Sequence, residues 1–291
     1  MRIAGDAPGA PVDIRTELQR IRTLCDGLSA HLAREIAIGL ADAGIDAGAA
    51  GERFGESVDL LLGKKNVYYS APLFYHYPGL QQRQFFPRAE FAFLDDLERC
   101  TPAIKAEVLD LIGGAGHFEP YVQSAANRPP SAQGGMADNP AWAAFYLWKD
   151  GRPVAENLAR CPQTAAVIAA LPLCQMPGRS PTVLFSRLLA GAHIPPHHGF
   201  INTRLIGHLP LIVPRGCAFR VGNDIREWQE GRAWLFDDTV EHEAWNRGPE
   251  TRVVLIFEVW RPELSEIERR AIVALFEAID RQSSAPAAWG I

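Results

Sequence analysis

Five of the eight histidines in this 291-residue chain fall between His193 and His242. Two sit in the runs His197-His198-Gly199 and Asp237-Asp238-Thr239-Val240-Glu241-His242, and Arg252 follows ten residues later. Neutral imidazole is the commonest transition-metal ligand, and two histidines supplied by separate strands leave positions on the metal where a co-substrate and dioxygen can bind. The spacing sketches a mononuclear metal site with an anion clamp beside it.

Arg252 alternates with Val254 and Ile256 on one strand face, so its guanidinium is expected among apolar neighbours. A buried charge is costly unless paired. One partner would be a dicarboxylic co-substrate, each charge-assisted hydrogen bond contributing ~1.5–3 kcal/mol, with Ser186 as a second donor. The other would be an internal ion pair with Glu258, further along the same face. The residues alone leave both open. For His197 and His242 the plain alternative is two structural histidines, and the same plain reading is given to His31, His76, His117 and His193. His198 should turn away from His197, because adjacent strand residues point to opposite faces. Trp228, Trp234, Trp245 and Trp260 read as core or rim packing.

The elements that would position these groups change character along the chain. Ile14, Leu18, Ile21, Cys25, Leu28 and Leu32 recur at steps of four and three, the stripe of an amphipathic helix. After a glycine- and alanine-rich break near Ala43 to Gly51, Val58 to Leu62 suggests a second helix, so residues 1–65 read as an N-terminal helical module, a helical hairpin, and 66–291 as the main domain. Aromatics and prolines from Tyr68 to Phe86 suggest an irregular wrap. Thr101-Pro102 reads as an N-cap followed by proline at the first helical position, and Gly113-Gly114 as that helix's end. Ser124 to Asn139 reads as a long mobile loop of the kind that serves as a lid. From Trp142 onward short alternating strands are expected, placing Leu184 with Ser186 and Arg204 with Ile206 and His208, as in an antiparallel barrel or double-sheet jelly roll. Ser265-Glu266-Ile267-Glu268 is a capping box that opens a closing helix.

Composition narrows the class. With 47% hydrophobic and 22% charged residues the chain can bury a full core. A net charge of −5 gives no reason to expect nucleic acid or an anionic membrane as partner. Apolar runs such as Val253 to Phe257 are far shorter than the ~20 residues that span a bilayer, and Met1 to Asp6 does not read as a signal peptide. Cys25, Cys100, Cys161, Cys174 and Cys217 are odd in number and lack a CxxC pair, which fits reduced thiols and a cytoplasmic home.

The runs Pro196-His197-His198-Gly199-Phe200-Ile201-Asn202-Thr203-Arg204, His208-Leu209-Pro210-Leu211 and Phe236 to Trp245, continued by Arg252 and Glu258 to Leu264, resemble the aspartyl/asparaginyl beta-hydroxylase family. Pro78-Gly79-Leu80, Trp142 and Trp148 to Arg152 extend the resemblance upstream, so that it covers the chain from about residue 68 to residue 282. The resemblance implies an α+β fold with a double-stranded beta-helix (jelly roll, cupin-like) core, flanking helices, and an iron(II)- and 2-oxoglutarate-dependent dioxygenase that hydroxylates a C–H bond with O2.

Carried over by position, His197 and His242 would be iron ligands. Ser186 and Arg252 would hold the distal carboxylate of 2-oxoglutarate, His208 its other end, and Trp142 would line the same pocket. In the wider superfamily a carboxylate stands two residues after the first histidine. Here Gly199 occupies that position, an absence the family shares, water taking the vacated place with Asp238 as its hydrogen-bond acceptor. A second departure is Ile206, where better-known members carry an arginine. The implied target is the beta-carbon of an aspartyl or asparaginyl unit, free, peptidyl or carrier-bound. The competing expectation, argued from Gly199, is a jelly-roll sensor that keeps metal and dicarboxylate and turns nothing over.

Overall fold

The heptad-like stripe near the N-terminus forms α1, Val12–Asp42, in a computed structural model that describes residues 12–46, 48–114, 117–124 and 135–282. The chain divides into two compact units, Met1–Val67 and Tyr68–Ile291. In the first, α1 is followed by α2, Glu52–Leu61, and the Ser29 hydroxyl donates to the Leu62 carbonyl at 2.8 Å. Ser29, Ala33, Ile36 and Leu40 are half-buried, and no residue of α1 is buried.

The second unit opens with the aromatic wrap, which is tied to later strands through its backbone. Ala71 N–H donates to the Thr239 carbonyl at 2.8 Å and Leu73 N–H to Gly199 at 2.9 Å. The Asn202 amide pairs with both main-chain groups of Tyr77, at 2.7 and 2.9 Å. Two helices follow, α3 Phe93–Arg99 and α4 Thr101–Gly113. Thr101 is the first helical residue and not the cap, and its hydroxyl is buried without a hydrogen-bond partner. Of the expected loop, residues 125–134 lie outside the described residues. Its C-terminal flank is anchored where Asp138 N–H donates to Val122 at 2.8 Å.

Two antiparallel sheets follow, the long strands of the larger one buried on both faces. The larger contains β1 Glu119–Pro120, β2 Trp142–Lys149, β3 Arg152–Pro153, β4 Val183–Leu188, β6 Arg204–Ile212, β9 Trp234–Phe236 and β11 Arg252–Trp260. Its order is β1-β2-β4-β11-β6-β9, with β3 on β2. The smaller runs β5-β10-β7-β8, from β5 His193–His197, β7 Cys217–Val221, β8 Asp224–Glu227 and β10 His242–Asn246. Strands are not continuous from Trp142: α5 Ala155–Arg160 and α6 Pro162–Ala170 intervene, the latter starting at proline as helices often do.

Period-two alternation gives the large sheet two distinct faces. One, with Phe145, Phe185, Leu209, Leu255 and Phe257, packs on the helices through Leu94, Ile104, Val108 and Ile168. The other, with Trp142, Leu188, Ile206 and Val254, faces Ile194, Phe219 and Ala244 of the small sheet. The result is the α+β jelly roll. α7, Glu266–Asp280, carries the full capping box, Ser265 accepting from the Glu268 N–H and Glu268 from the Ser265 N–H, and buries Ile272 and Phe276.

Candidate functional site

Between the two sheets lies a cleft with about 860 Å³ of empty space, open solvent at its mouth included. His197 ends β5, His242 begins β10, and the strands pair with these residues directly opposite, ring centroids 4.0 Å apart. His197 Nδ1 lies 2.8 Å from the Pro195 carbonyl, and His242 Nδ1 lies 3.0 Å from that of Val240. A carbonyl only accepts, so each Nδ1 carries the proton and each Nε2 keeps its lone pair. Burial lowers the pKa of His197, and burial followed by the neighbouring His197 pushes His242 well below its ordinary value. Both rings are therefore neutral at pH 7, the state in which imidazole binds a metal. Among the described residues no group of three or more His, Cys, Asp and Glu side chains is arranged to hold an ion. The donor set offered is two imidazoles with open positions.

Position 199 has no room for a side chain. A Cβ built there would stand 2.0 Å from Asp238 Oδ2, so the Asp238 carboxylate fills the volume a residue at 199 would need. Gly199 N–H donates to the Asp238 carbonyl at 2.6 Å, and Arg204 Nη1 donates to Asp238 Oδ2 at 3.0 Å. Asp238 Oδ1 is buried and lacks a hydrogen-bond partner. Burial pulls the Arg204 pKa down, but Asp238 and Glu258 outweigh it and hold the group above its ordinary value.

At the other end, Arg252 is 2% exposed and pairs with no carboxylate among the described residues. Burial lowers its pKa to about 10. Its Nη1 contacts the Ser186 carbonyl at 3.3 Å and hydroxyl at 3.4 Å, its Nε has no partner, and the guanidinium lies 4.8 Å from the centre of the Trp228 ring. The Glu258 ion pair considered for it goes to Arg204 instead, at 3.2 Å. Six residues of strand separate Arg252 from Glu258, ~20 Å at ~3.3 Å per residue, whereas strand pairing sets Arg204 opposite Trp260, diagonal to Glu258 on the same face. A buried guanidinium with an unused donor is what a carboxylate ligand would complete.

The structure brings the other expected residues to the same cleft. Trp142 Nε1 donates to the Ser186 hydroxyl at 3.3 Å. His208 is buried, its pKa pushed well down by burial and then by Arg252. Ile206 lines the same wall, between Arg204, which is engaged by Asp238 and Glu258, and His208. His198 does not turn away: it lies just past the strand end, where alternation lapses, lines the cleft, and holds its Nδ1 3.0 Å from the Thr239 carbonyl. Trp228, read as packing, donates its indole N–H to His208 Nδ1 at 3.4 Å besides supporting Arg252. Tyr121 was not singled out by sequence; it stacks on Trp142 with centroids 4.2 Å apart. Neither aromatic belongs to a motif, so composition offers no signal for them.

The family model for aspartyl/asparaginyl beta-hydroxylase matches residues 98–262, more than half of the chain. The chain is 35% identical over 207 residues to the human aspartyl/asparaginyl beta-hydroxylase, covering 69% of this chain and 26% of that protein. It is 33% identical over 189 residues to the ornithine lipid ester-linked acyl 2-hydroxylase of Rhizobium tropici, covering 64% of this chain and 63% of that one. Human aspartate beta-hydroxylase domain-containing protein 2 is 35% identical over 138 residues, 46% of this chain and 37% of that protein. The chain thus spans about a quarter of the human hydroxylase and less than two thirds of the Rhizobium one.

Proposed function

The chain belongs to the aspartyl/asparaginyl beta-hydroxylase family, and from that premise we propose that it is an iron(II)- and 2-oxoglutarate-dependent dioxygenase hydroxylating the beta-carbon of an aspartyl or asparaginyl unit. The supporting observation is Arg252, a buried cation without an anion in the cleft that also holds two neutral imidazoles. His197 and His242 would hold the ion through Nε2. Bound iron with 2-oxoglutarate and O2 would supply the oxidising power for C–H hydroxylation.

The chain's own residues do the rest. Arg252 and Ser186 take the distal carboxylate of the co-substrate, a planar fork matching a planar anion. His208 accepts from Trp228 through Nδ1, which leaves its Nε2–H to donate to the co-substrate. Asp238 Oδ1, buried without a partner, would accept a hydrogen bond from water beside the ion. Trp142 and Tyr121 wall the cleft and exclude bulk water from the reacting centre. The target unit would be free, in a peptide or on a carrier.

The test is incubation with iron, 2-oxoglutarate and oxygen, followed by mass spectrometry of aspartyl and asparaginyl peptides, the free amino acids and acyl lipids. One added oxygen on an aspartyl or asparaginyl unit, lost in His197→Ala and His242→Ala, is expected. Oxygen added to the acyl lipid would reassign the substrate. Absence of succinate release from any mixture would favour the non-catalytic sensor reading.

A further inference from the structure

α1 is 31 residues long, about 46 Å at 1.5 Å per residue, and buries none of them. A helix gains most of its stability from packing an apolar face, so a long stretch of one left unpacked is marginal. Its apolar residues follow a heptad. Ile14, Ile21 and Leu28 repeat every seven residues, and Leu18, Cys25 and Leu32 repeat every seven residues four places later. Such a 3-4 spacing is the seam of a two-stranded coiled coil. Most of the seam is open to solvent, Leu28 being 68% exposed, Ile14 45%, Leu32 44% and Ile21 41%, while Leu18 is half-buried. The other half-buried residues, Ser29, Ala33, Ile36 and Leu40, lie mostly toward the C-terminal half of the helix, which leaves the seam face of residues 14–32 for a second surface.

We propose that α1 pairs with α1 of a second copy of this chain, in a parallel, in-register coiled coil over residues 14–32. Charge selects that partner and direction. In the seam's frame Glu17 flanks one edge, and Arg15 and Arg22 flank the other. In a parallel pair Glu17 of one helix faces Arg22 of the next heptad on its mate, twice by symmetry. An antiparallel pair would set Arg22 against Arg22. Six seam side chains from each helix, at roughly 60–120 Å² each, bury about 1,000 Å², near the lower limit for a specific interface.

Cys25 provides the readout. In a parallel, in-register pair it meets its own counterpart across the seam, while in an antiparallel pair it does not. Among the described residues Cys25 is the exposed cysteine, Cys100 being half-buried and Cys161, Cys174 and Cys217 buried. The experiment is sedimentation velocity of the full chain at micromolar concentration, with copper-phenanthroline crosslinking of the same sample. The expected result is twice the chain mass of 32.0 kDa and a disulfide-linked dimer that Cys25→Ser abolishes. Ile21→Lys with Leu28→Lys should weaken self-association at least a hundredfold and leave succinate release unchanged, with circular dichroism confirming that the helices persist. A monomeric wild type, with the seam closed on its own chain, would overturn the proposal. So would a dimer that survives the double lysine variant, or one that forms without a Cys25 crosslink.

Discussion

The indole N–H of Trp228 donates to Nδ1 of His208 across 3.4 Å, and that bond decides which histidine nitrogen carries the proton. With Nδ1 accepting, the neutral ring presents Nε2–H as a donor, the form that can meet a carboxylate. The same indole lies under Arg252, so one side chain supports both proposed anion contacts. Trp228→Phe keeps a ring beneath the guanidinium and removes the donor. It should raise the apparent 2-oxoglutarate constant about three- to tenfold, ~0.7–1.4 kcal/mol for one hydrogen bond. Titration calorimetry measures it, and an unchanged constant would leave Trp228 with packing alone.

Arg252 has a separate signature in stability. A buried cation without a partner is held at a desolvation cost, so Arg252→Met should stabilise the ligand-free protein by ~1–3 kcal/mol while abolishing stabilisation by 2-oxoglutarate. Arg252→Lys, which keeps charge without the fork, should raise the 2-oxoglutarate constant tenfold or more. Scanning calorimetry with and without 2-oxoglutarate separates the two effects. A ligand-free Arg252→Met protein that melts lower than wild type would make Arg252 a structural anchor.

Gly199→Ala should displace the Asp238 carboxylate, since the two cannot share the space. The expected cost is ~2–4 kcal/mol, in the range of overpacking combined with a disturbed buried ion pair. Asp238→Ala also costs stability, through Arg204, but the double variant should be less unstable than the sum of the singles. Urea melts of the four proteins complete the cycle. Additive losses would mean that the backbone simply moves aside.

Three histidines of the cleft, His208 and His242 buried and His197 half-buried, set a pH dependence for the metal-free protein. His197, His208 and His242 all have lowered native pKa values, so below pH ~6.5 the unfolded chain takes up protons that the native state refuses. Stability is thus full above ~6.5 and lost as pH falls beneath it, by up to ~1.4 kcal/mol per pH unit for each ring. Asp237, raised to about 6 by burial, opposes this, as do Glu258 and Asp150, also raised by burial, while Glu243, Glu263 and Glu268, held below their ordinary values by hydrogen bonds, add to the fall at lower pH. Melts at successive pH values should show the fall, and His208→Gln should flatten it by roughly a third. A level profile from neutrality into mild acid would refute it.

How legible this was in the sequence depends on what each residue answers to. His197 and His242 stand in the runs that carry the family resemblance, and Arg252 and Ser186 lie on strands whose alternation turns them to the cleft. The partner of Arg252 was not legible, because sharing a strand face says nothing of distance: Glu258 lies six residues along that face and belongs to Arg204 through strand pairing. α3 was hidden by aromatics on either side, and α5 by its brevity; α6 offered Pro162 as a start signal. Trp228 and Tyr121 act through where the sheets bring them, which no local pattern encodes.

The two-faced large sheet leaves its mark on tolerance to substitution. On β11 the odd positions Val253, Leu255, Phe257 and Val259 belong to the helix-covered core, while Arg252, Val254 and Ile256 look into the cleft between the sheets. A saturation scan that scores abundance and turnover separately would therefore oscillate along this strand. Changes at odd positions would deplete the protein itself, and changes at Arg252 or Ile256 would leave normal amounts of an impaired catalyst. A single stretch of nine residues would carry two superimposed records, one of foldability and one of chemistry, out of phase by one residue.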